Sequence, residues 1–306
     1  MRTSGKLFNV PAVAAAATFS LALGAALAGS AHGAEFRGMS MEVVGEGMPV
    51  LMIPGLNSGA GTWRDTCTAL QPQVQCHLVQ LPGFAGQPAV AEEAFLDGMR
   101  DRLLAYLDAE GLEEPAVIGH SLGGLLAMQM AIEAPEAVGR LVIVDSLPFL
   151  PAAQNPLATV DQVRPMAEQM RAAWTAADDA THAMQSEAAI PTMARAPEDV
   201  ETLREWGRAS DRATTTQAMY ELMTTDLRGR LDAIRAPTLV LGSWAAYEPH
   251  GASLESTRGI FESQYANLDG VRIEMSGAGY HFLMWDDPQW LQGQVRGFLG
   301  LAQDGR

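Results

Sequence analysis

The stretch that decides the fold runs Ala116-Val117-Ile118-Gly119-His120-Ser121-Leu122-Gly123-Gly124-Leu125-Leu126-Ala127. Apolar residues lead up to Gly119, and strong helix formers follow Gly124. This order predicts a buried strand, a sharp turn and then a helix. Residues 119–123 fit the pattern Gly-x-Ser-x-Gly, which in this context puts Ser121 on a strained turn with its hydroxyl projecting above a sheet. The plainer alternative is an ordinary Gly/Ser turn between a strand and a helix.

The two glycines of this pattern, Gly119 and Gly123, have a steric explanation. A Cβ atom at either position would collide with the neighbouring strand or helix. The helix that starts after Ser121 offers N–H groups and a partial positive charge, which can stabilise an oxyanion. The stretch therefore predicts a serine nucleophile beside an oxyanion site.

With this motif the sequence resembles the α/β-hydrolase family, in its serine esterase and lipase branch. The resemblance covers most of the chain after the first 40 residues and is strongest at Pro54–Trp63, Val117–Gly124 and Gly279–Pro288. It implies an α/β-hydrolase fold, in which a mostly parallel central sheet is flanked by helices and carries a helical cap insertion.

Strand and helix patterns alternate over residues 35–306, which favours one hydrolase domain built from βαβ units. Two strands at Met39–Val44 and Pro49–Ile53, separated by Gly-Glu-Gly, are typical of a hairpin. From about 147 to 235 the strand pattern is interrupted, and prolines divide short helical pieces. In the resembled family a cap or lid lies at this point, so we expect residues 147–235 to form one over the active site.

The first 33 residues differ from the rest of the chain. Two cations precede an apolar run from about Val10 to Ala28, and small residues follow, as in a secretory signal peptide. Cleavage after Ala31 or Gly33 would satisfy the small-residue rule, and the mature protein would be periplasmic or secreted. An uncleaved membrane anchor is the alternative, because the apolar run is near the length that spans a bilayer.

The chain is acidic, with a formal net charge of −16. Loss of the leader removes Arg2 and Lys6 and brings the charge to −18. Such a chain has no electrostatic attraction to nucleic acid or to anionic lipid, so we expect no nucleic-acid partner and no stable membrane association after leader cleavage. Because no lysine follows Lys6, lysine-based covalent catalysis is excluded in the mature protein.

Two cysteines, Cys67 and Cys76, are nine positions apart. An even count in an exported protein favours a disulfide between them. The alternative is a pair of buried free thiols. Neither cysteine has the spacing of a metal site or a base next to it in sequence, so neither is expected to be a nucleophile.

A serine nucleophile needs a base, and the best candidate in this sequence is His281. A serine hydroxyl attacks only when a base takes its proton. His281 lies in a glycine-rich loop after the last predicted strand, Val271–Met275, which is the position that the resembled family uses. A structural loop histidine is the alternative. His120 is next to Ser121, but we expect its side chain to point away from the serine.

The third member of a triad is the acid that orients the histidine. The commonest family pattern has an aspartate after the strand Pro237–Gly242, but here the first carboxylate is Glu248. Asp145 ends the strand that follows the nucleophile helix, and some branches of the family carry their acid there. Both candidates keep the order nucleophile, acid, histidine, and we favour Asp145 over Glu248. A carboxylate that only caps the turn into the cap is the alternative for Asp145.

The oxyanion site needs two N–H donors aimed at one point. The backbone N–H of Leu122, directly after the nucleophile, is one. The second is expected from the loop after Pro49–Ile53, with Leu56 the favoured donor and Asn57 next. The family often has His-Gly at the start of that loop, where this chain has Pro54-Gly55.

The serine also restricts the reaction. The dehalogenase and epoxide hydrolase branches resemble this chain but carry an aspartate where Ser121 stands. We therefore expect hydrolysis of a small-molecule carboxylic ester through an acyl-enzyme, with no metal or organic cofactor implied. The alternatives are an amidase or peptidase, a thioesterase or a carbon–carbon bond hydrolase on the same triad, and a non-catalytic binding protein that lacks a working acid.

Overall fold

The computed structural model describes residues 32–302, together with Met1. The predicted leader therefore lies outside the described residues, apart from Met1, His32 and Gly33. The described part of the chain contains eight strands: β1 His32–Phe36, β2 Met39–Gly45, β3 Met48–Ile53, β4 Val74–Gln80, β5 Ala116–His120, β6 Arg140–Val144, β7 Thr238–Gly242 and β8 Arg272–Met275.

Ten α-helices are present in the same part of the chain, with short 3₁₀ turns between some of them. They are α1 Arg64–Leu70, α2 Phe95–Ala109, α3 Leu122–Glu133, α4 Val160–Ala176, α5 Asp179–Glu187, α6 Pro197–Ala209, α7 Arg212–Thr224, α8 Leu254–Gln264, α9 Leu283–Asp286 and α10 Pro288–Leu299. Among the described residues, no helix combines the length and the apolar character that a membrane span requires.

All eight strands form one sheet in the order β1-β2-β4-β3-β5-β6-β7-β8. The pairs from β4 to β8 are parallel, whereas β1 with β2 and β2 with β4 are antiparallel. The prediction of a mostly parallel sheet flanked by helices is confirmed. The parallel arrangement brings the carboxyl ends of β3, β5, β6, β7 and β8 to one edge, where α/β proteins carry their sites.

The predicted hairpin between the second and third strands is wrong. β4 lies between β2 and β3 in the sheet, so those two strands share no hydrogen bonds. β3 is continuously buried from Val50 to Ile53, which suits a strand inside a parallel sheet. The real hairpin joins β1 to β2 through Arg37 and Gly38, with φ angles of 51° and 85°. Two positive φ angles are typical of the tight turn whose twist matches the paired strands.

The core lies on both faces of the sheet because alternate strand residues point to opposite sides. Leu51 and Val117 belong to the cluster packed against α2 and α3, whereas Val50 and Ile118 belong to the cluster packed against α1 and α10. Helix α3, which begins directly after Ser121, is buried at every residue from Leu122 to Ile132. The turn at Ser121 therefore joins two almost completely buried elements, β5 and α3.

The stretch between β6 and β7 contains helices α4 to α7 and, over its described residues 147–235, no strand. The first of these helices has a capping box, in which the Thr159 side chain accepts from the Gln162 backbone and the Gln162 side chain accepts from the Thr159 backbone. Helix α7 packs against both α4 and α2. The insertion is therefore a helical layer attached to the sheet domain, as predicted, and it is called the cap below.

Cys67 on α1 and Cys76 on β4 are both buried and face each other. Their Cα atoms are 6.1 Å apart, a separation that suits a disulfide.

Candidate active site

Ser121 occupies the turn between β5 and α3, as the sequence predicts. Its φ and ψ angles are 52° and −120°, a region that side-chain-bearing residues rarely adopt. The turn is fixed on both sides: the Ser121 N–H donates to the Val144 carbonyl (2.9 Å), and its own carbonyl accepts from Gly124 N (2.8 Å). Such a turn presents the serine side chain above the carboxyl edge of the sheet.

The glycines around Ser121 are required by close packing. A Cβ atom on Gly119 would overlap the carbonyl oxygen of Gly123, and one on Gly123 would overlap the carbonyl of Ile53 at the end of β3. Both obstacles are backbone atoms, which cannot move aside as a flexible side chain could. The predicted steric role of Gly119 and Gly123 is confirmed.

His281 lies on the loop between β8 and α9, and its imidazole meets Asp145. Nδ1 of His281 is 2.6 Å from Oδ2 of Asp145, and the two side chains are 24% and 10% exposed. Because the carboxylate accepts a hydrogen bond from Nδ1, the ring nitrogen left for a reacting group is Nε2. The structure therefore brings these two predicted residues together in the arrangement of a base and its orienting acid.

Asp145 is held in place by the neighbouring strand. Its backbone N–H donates to the Leu241 carbonyl (2.7 Å), and its φ angle is 45°. The backbone N–H of Ser243 donates to Oδ1 (2.7 Å), and the Ser243 hydroxyl lies 2.8 Å from Oδ2. Ser243 follows β7, where the commoner family pattern has the acid itself. The only sequence feature that marks Ser243 is its position directly after β7, the strand beside Asp145.

Glu248, the alternative acid, lies elsewhere. It belongs to a short 3₁₀ helix, Ala245–His250, and its side chain is exposed. The structure does not bring it into hydrogen-bond contact with His281. The geometry therefore favours the first of the two acids that the sequence left open.

His120 supports the loop that carries His281, a role that its position in the sequence does not indicate. Its ring is fully buried and turns onto that loop, with Nε2 donating to the His281 carbonyl (3.0 Å). Its ring centroid is 4.5 Å from that of His281 and 4.6 Å from that of Phe282. Burial first, and then the neighbouring His281, hold the pKa of His120 well below its usual value, so the ring is neutral.

The loop after β3 packs directly against the nucleophile. A Cβ atom built on Gly55 would lie 3.2 Å from the Ser121 Cβ and 3.1 Å from His120 Nδ1, so the backbone there passes close to both. Asn57 in the same loop has a φ angle of 55° and accepts a hydrogen bond from the Thr215 hydroxyl of α7 (2.6 Å). Leu56 lies between these two residues, and Leu122 is the first residue of α3. Their roles as oxyanion donors remain predictions.

Two tyrosines lie near Asp145. The hydroxyl of Tyr265 donates to the Ser146 carbonyl (2.8 Å) and so braces the turn that follows Asp145. Burial raises the pKa of Tyr265 well above its usual value, and the charge of Asp145 adds to the effect. Burial and Asp145, in the same order, also raise the pKa of Tyr247. Both phenols are therefore neutral near neutral pH and add no charge beside the His281–Asp145 pair.

Comparisons with known proteins bear on the family and the fold of this chain. The sequence profile of the alpha/beta hydrolase family matches residues 50–291. A pimeloyl-[acyl-carrier protein] methyl ester esterase of Aeromonas hydrophila subsp. hydrophila is 29% identical over 207 residues, which are 66% of this chain and 78% of that protein. The protein of the same name from Vibrio atlanticus is 33% identical over 115 residues, 38% of this chain and 43% of that protein, so the match spans less than half of its length.

A solved structure, a hydrolase from Pseudomonas aeruginosa PA01, has the same fold. It superposes with a TM-score of 0.73 over 89% of this chain and 99% of its own, at 20% sequence identity. The match to a hydrolase family and to curated relatives named as esterases supports the expectation of a hydrolase. The match to the family profile over most of the chain, together with the fold, shows that this chain belongs to the alpha/beta hydrolase family.

Proposed function

We propose that this protein is an exported serine hydrolase that cleaves a carboxylic ester through an acyl-enzyme intermediate. The observation that supports the proposal most is the 2.6 Å contact between His281 Nδ1 and Asp145 Oδ2. It lies at the sheet edge that also carries the strained turn of Ser121. A serine on such a turn, a histidine and an acid are the three groups that acyl transfer to water requires.

The proposed reaction has two halves. The Ser121 hydroxyl oxygen attacks the ester carbonyl carbon while Nε2 of His281 takes its proton, and Asp145 stabilises the resulting imidazolium. The tetrahedral oxyanion accepts hydrogen bonds from the backbone N–H groups of Leu122 and Leu56. The carbon–oxygen bond to the alcohol then breaks, and His281 returns the proton to the departing alcohol.

Water releases the acyl group in the second half. His281 takes a proton from water as the oxygen attacks the acyl carbon, and the same two N–H donors hold the second oxyanion. Collapse of this intermediate returns the proton to Ser121 and releases the carboxylic acid. Ester plus water thus gives acid plus alcohol, with no cofactor in the balance.

An ester is the favoured substrate because the similar proteins of Aeromonas and Vibrio are named as methyl ester esterases. An amidase or peptidase, a thioesterase and a carbon–carbon bond hydrolase use the same groups and are the alternatives. The non-catalytic alternative rested on a missing acid, and the contact of Asp145 with His281 supports the catalytic reading over it.

Export is proposed from the leader-like sequence and from two features of the described chain. Cys67 and Cys76 lie within disulfide distance, which suits an oxidising compartment. Strand β1 begins at His32, so cleavage after Ala31 would keep the strand whole, whereas cleavage after Gly33 would remove its first two residues. Intact mass of the protein recovered from the periplasm or medium measures the site: a chain that still contains residues 1–31 contradicts this part of the proposal.

Hydrolysis of short p-nitrophenyl esters by the purified mature protein tests the activity, with Ser121→Ala as the matched variant. We expect the wild type to turn over and to react with a fluorophosphonate probe, and Ser121→Ala to do neither. A panel of amides and thioesters measured beside the esters separates the alternatives. A wild type that is inert on every substrate and unlabelled by the probe would contradict the proposed function.

A further inference from the structure

The cap is hydrogen bonded to the loop that carries His281. This loop, residues 276–282, is called the histidine loop. The carbonyl of Met193 in the cap accepts from the backbone N–H of Phe282, the residue directly after His281 (3.0 Å). Two residues further along the cap, the Arg195 guanidinium donates to the Ala278 carbonyl (2.9 Å) and lies 5.6 Å from the Tyr280 ring centroid. The cap therefore contacts the histidine loop on both sides of His281.

The carboxylate of Asp286 joins the two segments. Its Oδ1 accepts from the backbone N–H of Arg195 in the cap (2.9 Å), and its Oδ2 accepts from the backbone N–H of Tyr280 in the histidine loop (2.8 Å). Hydrogen bonds to a charged acceptor are stronger than neutral ones. One side chain thus fixes the cap and the residue preceding His281 to the same point.

The neighbouring Asp287 holds the histidine loop differently. Its Oδ2 accepts from the Ser276 hydroxyl (2.7 Å), whose oxygen accepts in turn from the backbone N–H groups of Ala278 (3.2 Å) and Gly279 (2.9 Å). These contacts secure the start of the loop without any cap residue. Two adjacent carboxylates therefore have separate partners. Asp287 holds the start of the histidine loop, whereas Asp286 links that loop to the cap.

Aromatic packing extends the same connection. The Phe282 ring stacks on Trp285 with centroids 4.5 Å apart, and Trp285 packs against Trp206 of cap helix α6 at 5.6 Å. Trp206 also lies against the glycine-rich loop after β3, within 3.3 Å of where a Cβ on Gly59 or Gly61 would be. A shift of this part of the cap would therefore be transmitted to the loop on which His281 sits.

We propose that Asp286 is a positioning residue that ties the cap to the histidine loop, so that the location of the cap determines where His281 presents its Nε2 to Ser121. This inference rests on the proposed function for its effect on catalysis. Misplacement of a catalytic group by about 1 Å can cost on the order of 100-fold in rate. Loss of the Asp286 link should consequently lower kcat, whereas KM should change little if substrate binding is untouched.

Loss of a negative charge, as distinct from loss of the link, is the competing explanation for an effect of removing the Asp286 carboxylate. Asp199 at the start of α6 provides the matched control. Its pKa is raised by burial and then by the nearby charge of Asp286, so the two carboxylates share one electrostatic neighbourhood. Asp199→Asn removes one negative charge there and leaves the Asp286 contacts intact. Asp145 and His120, the titratable groups in contact with His281, are unchanged in both variants.

The experiment compares Asp286→Asn with Asp199→Asn in the mature protein by two measurements. One is kcat and KM on a p-nitrophenyl ester. The other is the NMR titration of the His281 Hε1 proton, assigned with His281→Gln, which needs no turnover. We expect Asp286→Asn to lower kcat by about 10- to 100-fold at nearly constant KM, and to shift the His281 titration further than Asp199→Asn does.

A second pair of variants covers the case in which Asp286→Asn does not fold. Arg195→Ala removes the guanidinium contact with Ala278 and leaves Asp286 in place, and Arg195→Lys restores one donor. We expect Arg195→Ala to lose less kcat than Asp286→Asn does, and Arg195→Lys to recover part of that loss. The inference is wrong if Asp286→Asn gives the same result as Asp199→Asn in both measurements. If Asp286→Asn cannot be purified, the inference is wrong when Arg195→Ala has the same kcat as the wild type.

The two proposals fail in different ways. A wild type that hydrolyses esters, with Ser121→Ala inactive and Asp286→Asn unaffected, leaves the function standing and overturns only the positioning role. A wild type inert on every ester overturns the function, and the His281 titration then decides the positioning role by itself.

Discussion

The imidazole Nδ1 of His281 lies 2.6 Å from the Asp145 carboxylate, although 136 residues separate the two in the chain. They meet because parallel strands deliver their carboxyl ends to one edge: Asp145 follows β6 and His281 follows β8, with β7 between them. The residue after β7, Ser243, contacts the same carboxylate through its N–H and its hydroxyl. The proposed acid thus lies one strand earlier than in the commoner family pattern, and Ser243 occupies the position after β7 where that pattern has its acid.

Replacement of Asp145 by asparagine tests this assignment. The amide keeps the size of the carboxylate, but it can hold His281 in the tautomer that cannot take a proton from Ser121. In a serine protease the equivalent change costs about 10⁴-fold in kcat, and we expect a loss of that order here. Glu248→Gln is the matched control, because Glu248 is exposed and outside the contact. Steady-state hydrolysis of a p-nitrophenyl ester measures kcat for both variants. A larger loss of kcat in Glu248→Gln than in Asp145→Asn would mean that Glu248 is the acid.

Ser243→Ala removes one hydrogen bond to the Asp145 carboxylate and leaves the backbone N–H bond in place. A hydrogen bond to a charged group contributes about 1.5–3 kcal/mol, and about 1.4 kcal/mol corresponds to tenfold in rate. We expect kcat to fall by about tenfold, because the carboxylate is less firmly oriented towards His281. Ser243→Thr keeps the hydroxyl and serves as the control. Equal activity in Ser243→Ala and wild type would show that the backbone bond alone orients the acid.

The parts of the site that could be predicted from sequence are those encoded within one short stretch. The turn at Ser121 needs only β5, two glycines and the first turns of α3, which all lie close together in the sequence. Asp145 follows β6, whose apolar run is plain in the sequence, and His281 follows β8, in which charged and apolar residues alternate. Because each of these residues ends a strand of a parallel sheet, the fold alone brings them to a common edge.

The parts that could not be predicted depend on which distant segments meet. The pairing of β2 with β4, in place of a hairpin with β3, is decided by the whole sheet. The Arg37-Gly38 turn is hard to recognise in the sequence, because it lies just after the leader-like segment. The partners of His120 and Asp286 are backbone groups of other loops, and backbone groups leave no mark in a sequence. The site side chains could therefore be predicted from the sequence, whereas the contacts that orient them could not.

Acid should destabilise the folded protein partly through His120. Its pKa is lowered well below 6.5 by burial, so between pH 6.5 and that lower value the unfolded chain binds a proton that the folded chain does not. Stability is therefore present above about pH 6.5 and is lost as pH falls, at up to about 1.4 kcal/mol per pH unit for one proton. Urea denaturation from pH 7 to pH 5 measures this slope.

His120→Gln is the variant for this measurement, since its amide can still donate to the His281 carbonyl. We expect a shallower loss of unfolding free energy with falling pH than in the wild type. Some slope should remain, because burial also lowers the pKa of His77. His77→Gln provides the comparison for that second contribution. Parallel curves for wild type and His120→Gln would contradict a neutral, buried His120.

A covalent bond between Cys67 and Cys76 would close a loop with a sequence separation of nine. The chain-entropy treatment gives about 2.5 kcal/mol for a loop of this length. We expect the double variant Cys67→Ala/Cys76→Ala to lose roughly this amount of unfolding free energy, together with a smaller packing loss. Alkylation without reduction, followed by intact mass, counts the thiols directly. Two alkylated cysteines in protein recovered from the oxidising compartment would show that the pair is not bonded.

The backbone conformation of Ser121 presents the hydroxyl above the sheet, and the strain in that conformation should lower the free energy of unfolding. With φ at 52° and ψ at −120°, a residue with a Cβ is strained, whereas glycine adopts this region readily. Ser121→Ala and Ser121→Gly both remove the nucleophile, but only glycine also removes the Cβ. We expect Ser121→Gly to be more stable than Ser121→Ala by about 1 kcal/mol, net of the extra entropy of glycine in the unfolded chain. Urea denaturation of these two variants measures the difference in their unfolding free energies. A more stable alanine variant would mean that the turn is not strained at this residue.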